Sequence, residues 1–188
     1  MISQSELKSI IKACLDQDAR AQRKIFDMTS EKINQTCKRY SSDPEEVRDL
    51  FQETYIKVFK HLDQYDVSKG ELNAWVYRIA KNCILTHFKS KKIQYVELDQ
   101  YDLEEKGHIH EDLDLIHQEE ILKEIQKMPD GYRIILNLFV FEHLSHHEIA
   151  EALQIQESTS RSQLVRARAY LKNKLETLYS TKYEKFII

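Results

Sequence analysis

Apolar residues recur every three or four positions along most of the 188-residue chain, which is the spacing of amphipathic helices. This spacing predicts helix over 5–41. An Asp-Pro pair in the turn at 41–44 is a typical start for a second helix, whose apolar stripe covers 47–62. A loop at 63–73 precedes a third apolar stripe over 75–88. The first half of the chain is therefore predicted to be an all-α domain.

The helical spacing is lost after residue 92. Residues 93–120 hold ten acidic residues and one Lys, a net charge of −9. By contrast, 1–92 hold 17 basic and 13 acidic residues, a net of +4, and 121–188 hold ten and eight, a net of +2. We interpret 93–114 as an acidic flexible linker between two small helical domains, 1–92 and 115–188. Such asymmetry suggests domains that face nucleic acid, although two solvated domains with a charged spacer would give the same pattern.

The second domain is predicted to end in two helices joined by a tight turn. Residues 132–141 are apolar nearly all round, which favours a helix buried on most sides over a buried strand. Ser145 and Glu148 have the spacing of a capping box, which predicts the start of a short helix. A tight turn at 153–155 follows, and the next helix is expected to start near Glu157 or Ser158.

This last helix is predicted to have one apolar and one basic face. Five basic residues and no acidic ones occur from Arg161 to Lys174. At about 100° per residue, the outward arc holds Ser158, Arg161, Ser162, Val165, Arg166, Ala169 and Lys172. A short helix, a tight turn and a longer basic helix are typical of a DNA-binding helix-turn-helix. A helical hairpin with a solvated charged face is the alternative.

Cysteine and histidine give no support for a disulfide or metal site. Cys14, Cys37 and Cys83 are far apart and odd in number, so we expect buried small side chains. The pairs His108/His110 and His146/His147 lack the spacing of a metal-binding helix, and solvated histidines are expected. The chain is accordingly predicted to be no enzyme, with no metal and no cofactor. A metal-dependent hydrolase built from 108–117 is the alternative of another class.

No stretch approaches the roughly 18 apolar residues that a membrane-spanning helix needs. The N-terminus also lacks the apolar core and cleavage site of a signal peptide. We therefore expect a cytoplasmic protein with no membrane insertion.

Four stretches, in the family's order, resemble motifs of the bacterial sigma-70 family of RNA polymerase sigma factors. Residues 49–59 (DLFQETYIKVF) and 74–82 (AWVYRIAKN) resemble two helices of its polymerase-binding and promoter-opening region. Residues 144–150 (LSHHEIA) and 159–168 (TSRSQLVRAR) resemble its C-terminal helix-turn-helix. The small two-domain layout is similar to the extracytoplasmic-function (ECF) subgroup.

The resemblance implies a sigma factor that binds core RNA polymerase and directs initiation at selected promoters. Domain 1–92 would bind core polymerase and recognise the −10 element, and 115–188 would recognise the −35 element. The loop 67–73 would hold an unstacked base. The residues implied for core binding are Asp49, Leu50, Gln52 and Glu53. Those implied for −10 DNA are Arg78, Lys81, Asn82, His87 and Lys89. Those implied for −35 DNA are Ser158, Thr159, Arg161, Ser162, Gln163, Arg166 and Arg168.

The resemblance further implies an anti-sigma factor as partner. The alternative function is a stand-alone helix-turn-helix regulator that binds duplex DNA without polymerase. The chain departs from the family pattern at the tight turn, where Gln154 replaces glycine and Gln156 replaces a serine N-cap. Gln154 is expected either to take a left-handed conformation at a cost or to give the turn another form, and the last helix is expected to start late, at Ser158. Thr86 replaces a common acid, and Gln163 replaces an Arg, which is expected to weaken phosphate contacts.

Overall fold

The computed structural model describes residues 2–91, 93 and 118–184. Over these residues the secondary structure is eight α-helices and one 3₁₀ turn, without strands, which confirms the all-α prediction. The chain divides into two compact units, Met1–Ser90 and Lys91–Ile188. The predicted linker lies outside the described residues except for residue 93, as do His108 and His110. Within the described ranges, no helix has the length and apolarity needed to cross a membrane.

The N-terminal unit contains α1 (Gln4–Leu15), α2 (Ala19–Tyr40), α3 (Pro44–Lys60), the 3₁₀ turn (Leu62–Gln64) and α4 (Leu72–Ser90). The stretch predicted as one helical region is therefore two helices, because the chain turns at 16–18. Gln17 there has a left-handed φ of 66°. The Asp18 carboxylate accepts hydrogen bonds from the amides of Arg20 (2.7 Å) and Ala21 (3.1 Å) and so caps α2. Asp43 caps α3 in the same way through the Glu45 amide at 3.0 Å.

The core of this unit lies between α2, α3 and α4. Ile25, Val58 and Val76 are fully buried there. Cys14, Cys37 and Cys83 are also buried, as predicted, and none forms a disulfide. Burial disfavours the thiolate and, with a smaller contribution from Cys83, raises the pKa of Cys37 to about 12. These cysteines therefore serve as small core side chains.

The C-terminal unit contains α5 (Gln118–Gln126), α6 (Asp130–Val140), α7 (His146–Leu153) and α8 (Glu157–Glu184). Every residue of α6 from 131 to 138 is buried, as its apolar pattern predicts. The set includes Arg133, which is 3% exposed. Its guanidinium donates to the carbonyls of Gln126 (2.6 Å) and Met128 (2.9 Å) and pairs with Asp130. Arg133 thereby fastens the end of α5 to the start of α6.

The helix-turn-helix joins α7 to α8. The predicted capping box is present: the Ser145 hydroxyl accepts from the Glu148 amide, and the Glu148 carboxylate accepts from the Ser145 amide (2.8 Å). At the other end of α7, Gln154 adopts the left-handed conformation with φ 57° and ψ 47°. Helix α8 starts at Glu157, the earlier of the two predicted starts, and the expected delay to Ser158 is wrong. The Gln156 carbonyl already accepts from the Ser160 amide at 3.2 Å.

Candidate nucleic-acid interface

The outward face of α3 carries most of the residues implied for polymerase binding. Asp49 and Gln52 are exposed, and Glu53 is half-buried with its carboxylate 2.7 Å from the Lys57 ammonium. Leu50 is only 1% exposed because it lies on the same helical face as the core residue Val58. The assignment of Leu50 to direct partner contact is therefore corrected: Leu50 supports α3 from inside the core.

An open apolar groove lies beside this polar face, between α2 and α3. It has a volume of about 380 Å³. Its lining residues are Phe26, Phe51, Gln52, Tyr55, Ile56 and Phe59. Ile56 is 67% exposed. Sequence reasoning missed the groove, although the position of Ile56 outside the apolar stripe of α3 was an available signal.

The exposed residues of α4 lie along one strip. Arg78, Asn82 and Lys89 are exposed and Lys81 is half-buried. His87 differs, because its Nε2 lies 2.7 Å from a carboxylate oxygen of Glu46 on α3, and the Glu46 side chain is only 10% exposed. His87 thus joins α4 to α3, and because its side chain is still 30% exposed, its contact with DNA stays a prediction.

Helix α2 adds cations beside α4 that sequence reasoning missed. The Lys32 ammonium lies 5.9 Å from the centre of the Tyr77 ring. The Arg39 guanidinium donates to the Tyr77 hydroxyl at 3.3 Å. Two cations of α2 therefore lie against Tyr77 of α4.

The loop before α4 is held by its own contacts. The Tyr65 hydroxyl donates to the Gly70 carbonyl at 2.8 Å, and the Tyr65 and Trp75 ring centres are 5.4 Å apart. The Asp66 carboxylate accepts from the Ser68 hydroxyl and amide, which lowers the pKa of Asp66. Trp75, the first residue of the predicted apolar stripe 75–88, is half-buried at the loop's edge.

The outward face of α8 carries most of the residues implied for −35 DNA. Exposed members are Ser158, Arg161, Ser162 and Arg168, and half-buried members are Thr159 and Arg166. Gln163 is only 2% exposed, so its assignment to DNA contact is corrected: it faces the core together with Leu164. Arg161 forms an ion pair with Glu157 one turn earlier.

Two contacts hold α8 against the rest of its unit. The His146 Nδ1 of α7 lies 2.9 Å from the Ser160 hydroxyl of α8, and Ser160 is fully buried. The His146 ring stacks on Phe139 at 4.9 Å, and the Arg168 guanidinium lies 5.5 Å from the centre of that same Phe139 ring. Burial, and then the positive charge of Arg161, holds the pKa of His146 below its usual value. The side chains of His146 and Phe139 thus pack against α8 beside its outward face.

Comparison with known proteins identifies the family. Residues 26–93 match the family model for Sigma-70 region 2, and residues 118–171 match the one for Sigma-70, region 4. The chain is 30% identical over 190 residues to the ECF RNA polymerase sigma factor SigW of Bacillus subtilis (strain 168), covering 95% of this chain and 99% of that protein. This chain belongs to the ECF sigma factors.

A second ECF relative gives a similar match. The ECF RNA polymerase sigma factor SigM of the same organism is 28% identical over 153 residues, which is 79% of this ECF sigma factor and 91% of SigM. A solved structure of CnrH in complex with the cytosolic domain of CnrY aligns with 89% of this chain and 96% of that one, at 19% identity and a TM-score of 0.44. Sigma factors are regulatory initiation factors that bind RNA polymerase and promoter DNA and direct transcription initiation. The family therefore favours this role over a stand-alone regulator.

Proposed function

We propose that the two units of this ECF sigma factor divide promoter recognition between them. The N-terminal unit binds core polymerase through α3 and the −10 element through α4. The C-terminal unit places α8 in the major groove of the −35 element. The observation that carries this proposal is the outward face of α8, which is basic and sits on a capped helix-turn-helix.

The chemistry of that face suits duplex DNA. Arg161 and Arg166 can each donate two hydrogen bonds to a guanine edge, and Arg168 can pair with a phosphate. Ser158 and Ser162 are small, which lets the helix backbone approach the bases. No acidic side chain occurs between Arg161 and Lys174 to repel phosphates. Gln163 makes no contribution to this surface because it is buried.

The chemistry of α3 suits a helical protein surface. Asp49 and Gln52 offer hydrogen-bond acceptors and donors next to the apolar groove that contains Ile56. Interfaces combine such an apolar centre with a polar rim. The α4 surface offers Arg78, Asn82 and Lys89 to a strand that has left the duplex, where cations pair with phosphates.

We further propose that the protein acts in the cytoplasm, with an acidic linker at 93–114 between domains 1–92 and 115–188. An anti-sigma partner would act by covering the α3 or α8 surface. Such a partner would compete with core polymerase or promoter DNA for the same residues. A partner that copurifies with the protein can be tested for this competition. Added core polymerase should displace such a partner from the protein.

The main test combines capture by sigma-free core polymerase with run-off transcription on a promoter library. The Gln52→Ala/Glu53→Ala variant is expected to lose capture. Its matched control is Glu31→Ala/Gln35→Ala, an exposed acid and amide on α2, which should bind like wild type. If wild type shifts duplex DNA but never binds core polymerase, the assignment of α3 is wrong.

The C-terminal half of the proposal needs a second pair of variants. Arg161→Ala/Arg166→Ala should bind core polymerase normally yet lose run-off transcripts from promoters that require a −35 element. Lys123→Ala, an exposed cation on α5, is the control and should retain them. Equal loss in both variants would contradict a specific role for α8.

A further inference from the structure

Helix α8 exposes one apolar side chain in the middle of its basic face. Val165 is 52% exposed, whereas its neighbour Leu164 is 3% exposed and Ala167 is fully buried. Val165 therefore takes no part in the core of the C-terminal unit. Single exposed apolar side chains are common on protein surfaces, so what matters here is the position of Val165 among the cations of α8.

The neighbours of Val165 define the kind of molecule that can cover it. Residues three and four positions away on a helix are its nearest surface neighbours. For Val165 these are Arg161 and Ser162 on one side and Arg168 and Ala169 on the other. The surface thus has one apolar side chain, small side chains next to it and arginines around it. A polyanion that offers an apolar group at the right depth fits this surface.

The major groove of DNA offers such a group. The 5-methyl of thymine is the apolar feature that distinguishes a T·A pair there, and small apolar side chains contact it. Valine suits this contact because its branched Cβ restricts the side chain to few rotamers, so little freedom is lost on binding. A protein surface that covered Val165 would instead have to supply acidic groups to the surrounding arginines.

We propose that Val165 recognises a thymine methyl group in the −35 element. This inference rests on the proposed placement of α8 in the major groove and adds a residue that discriminates between base pairs. The arginines then set affinity and guanine contacts, while Val165 adds a preference for thymine at one position.

The test removes the methyl group from the DNA instead of changing the base pair. Polymerase holoenzyme is assembled with the full chain on the promoter found in the library. Each −35 thymine, on both strands, is replaced in turn by deoxyuridine. For wild type, one replacement should weaken binding about fourfold, the scale expected for losing one buried methyl group. The readouts are half-saturation of promoter binding and run-off yield.

Variants then connect that thymine to Val165. Val165→Ala should bind the thymine promoter about fourfold more weakly and respond little to deoxyuridine at that position, while Val165→Ile should keep the response. Val140→Ala is the control, because Val140 is a similarly exposed valine (42%) on α6. It should behave like wild type on every template.

Three results would overturn the inference while the sigma assignment stands. One is a wild-type holoenzyme that initiates normally but responds to no deoxyuridine replacement. A second is a Val165→Ala holoenzyme that responds to deoxyuridine as wild type does. A third is a Val165→Ala variant whose only defect is weaker capture by core polymerase. If wild type initiates from no promoter in the library, the proposed function and this inference fall together.

Discussion

The left-handed residue at the end of α7 provides a sharp test of how the helix-turn-helix is held. The amide of Ile155 donates to the Ala150 carbonyl at 3.0 Å, and the amide of Gln154 points to the Glu151 carbonyl at 3.4 Å. This is the Schellman arrangement that ends many helices, and glycine is its usual left-handed residue. Gln154→Gly should therefore stabilise the C-terminal unit.

The expected magnitude follows from two opposing effects. A residue with a Cβ loses about 1–2 kcal/mol in the left-handed region, and Gln154 lies at its centre with φ 57° and ψ 47°. Glycine in turn destabilises the folded state by about 0.5–1 kcal/mol, because it gives the unfolded chain more conformational freedom. The net gain is roughly 0.5–1 kcal/mol, which corresponds to a rise of about 2–8 °C in the melting temperature of a unit this small.

Thermal unfolding of the full chain, followed by circular dichroism, measures this rise. Gln154→Ala is the matched control, because it removes the same side chain but keeps the Cβ, and it should not raise the melting temperature. Gln17→Gly makes the same change at a left-handed position in the N-terminal unit (φ 66°) and should stabilise that unit. If Gln154→Ala stabilises as much as Gln154→Gly, the argument from backbone conformation is refuted.

Three further predictions concern other parts of the structure. Ser145→Ala should lower the free energy of unfolding by about 1 kcal/mol through loss of the capping box; Ser158→Ala, an exposed serine in the first turn of α8, is the control in denaturant titrations. Leu50→Ala should lower stability by about 2–5 kcal/mol, and the fraction that stays folded should still bind core polymerase; loss of binding by fully folded protein would restore Leu50 to the interface. Because the pKa of His146 is lowered in the folded protein, the unfolded chain binds a proton at this residue at a higher pH than the folded chain does. The stability contributed by neutral, buried His146 is therefore complete above about pH 6.5 and declines as the pH falls below that value. In urea unfolding measured at several pH values, the midpoint of His146→Gln should fall less than that of wild type as the pH is lowered. Parallel curves for the two proteins would contradict this prediction.

Local patterns were sufficient to predict α6, α7 and α8 of the C-terminal unit. The capping box at Ser145 and the nearly continuous apolar run of α6 are signals carried by neighbouring residues, and both are confirmed. The break at 16–18 was missed because apolar spacing continues across it, and the turn depends on the backbone of Gln17 and the carboxylate of Asp18.

The candidate site was predicted less completely, because motif positions do not state which way a side chain faces. Leu50 and Gln163 lie within matching motifs and were assigned to interfaces, yet both are buried. Leu50 belongs to the apolar stripe of its own helix, so the sequence held the correcting signal. Gln163 is likewise absent from the outward arc predicted for its helix, so the periodicity there also held a correcting signal.

Contacts between helices lay beyond sequence reasoning altogether. The pairing of His87 with Glu46 joins residues 41 positions apart. The contact of Lys32 with the Tyr77 ring depends on α2 lying beside α4. Neither follows from the periodicity of one helix, because periodicity identifies a buried face but not the helix that covers it.

The burial of the cysteines makes this chain a convenient object for site-specific labelling. All three lie in the N-terminal unit, and the rest of the sequence has none. A thiol reagent attacks the thiolate form at an accessible sulfur, so the native N-terminal unit should resist modification until it opens. A single cysteine placed on an exposed position of α8 would then accept a fluorophore selectively in the natural background. The slow labelling of the native cysteines would at the same time measure how often the N-terminal unit opens.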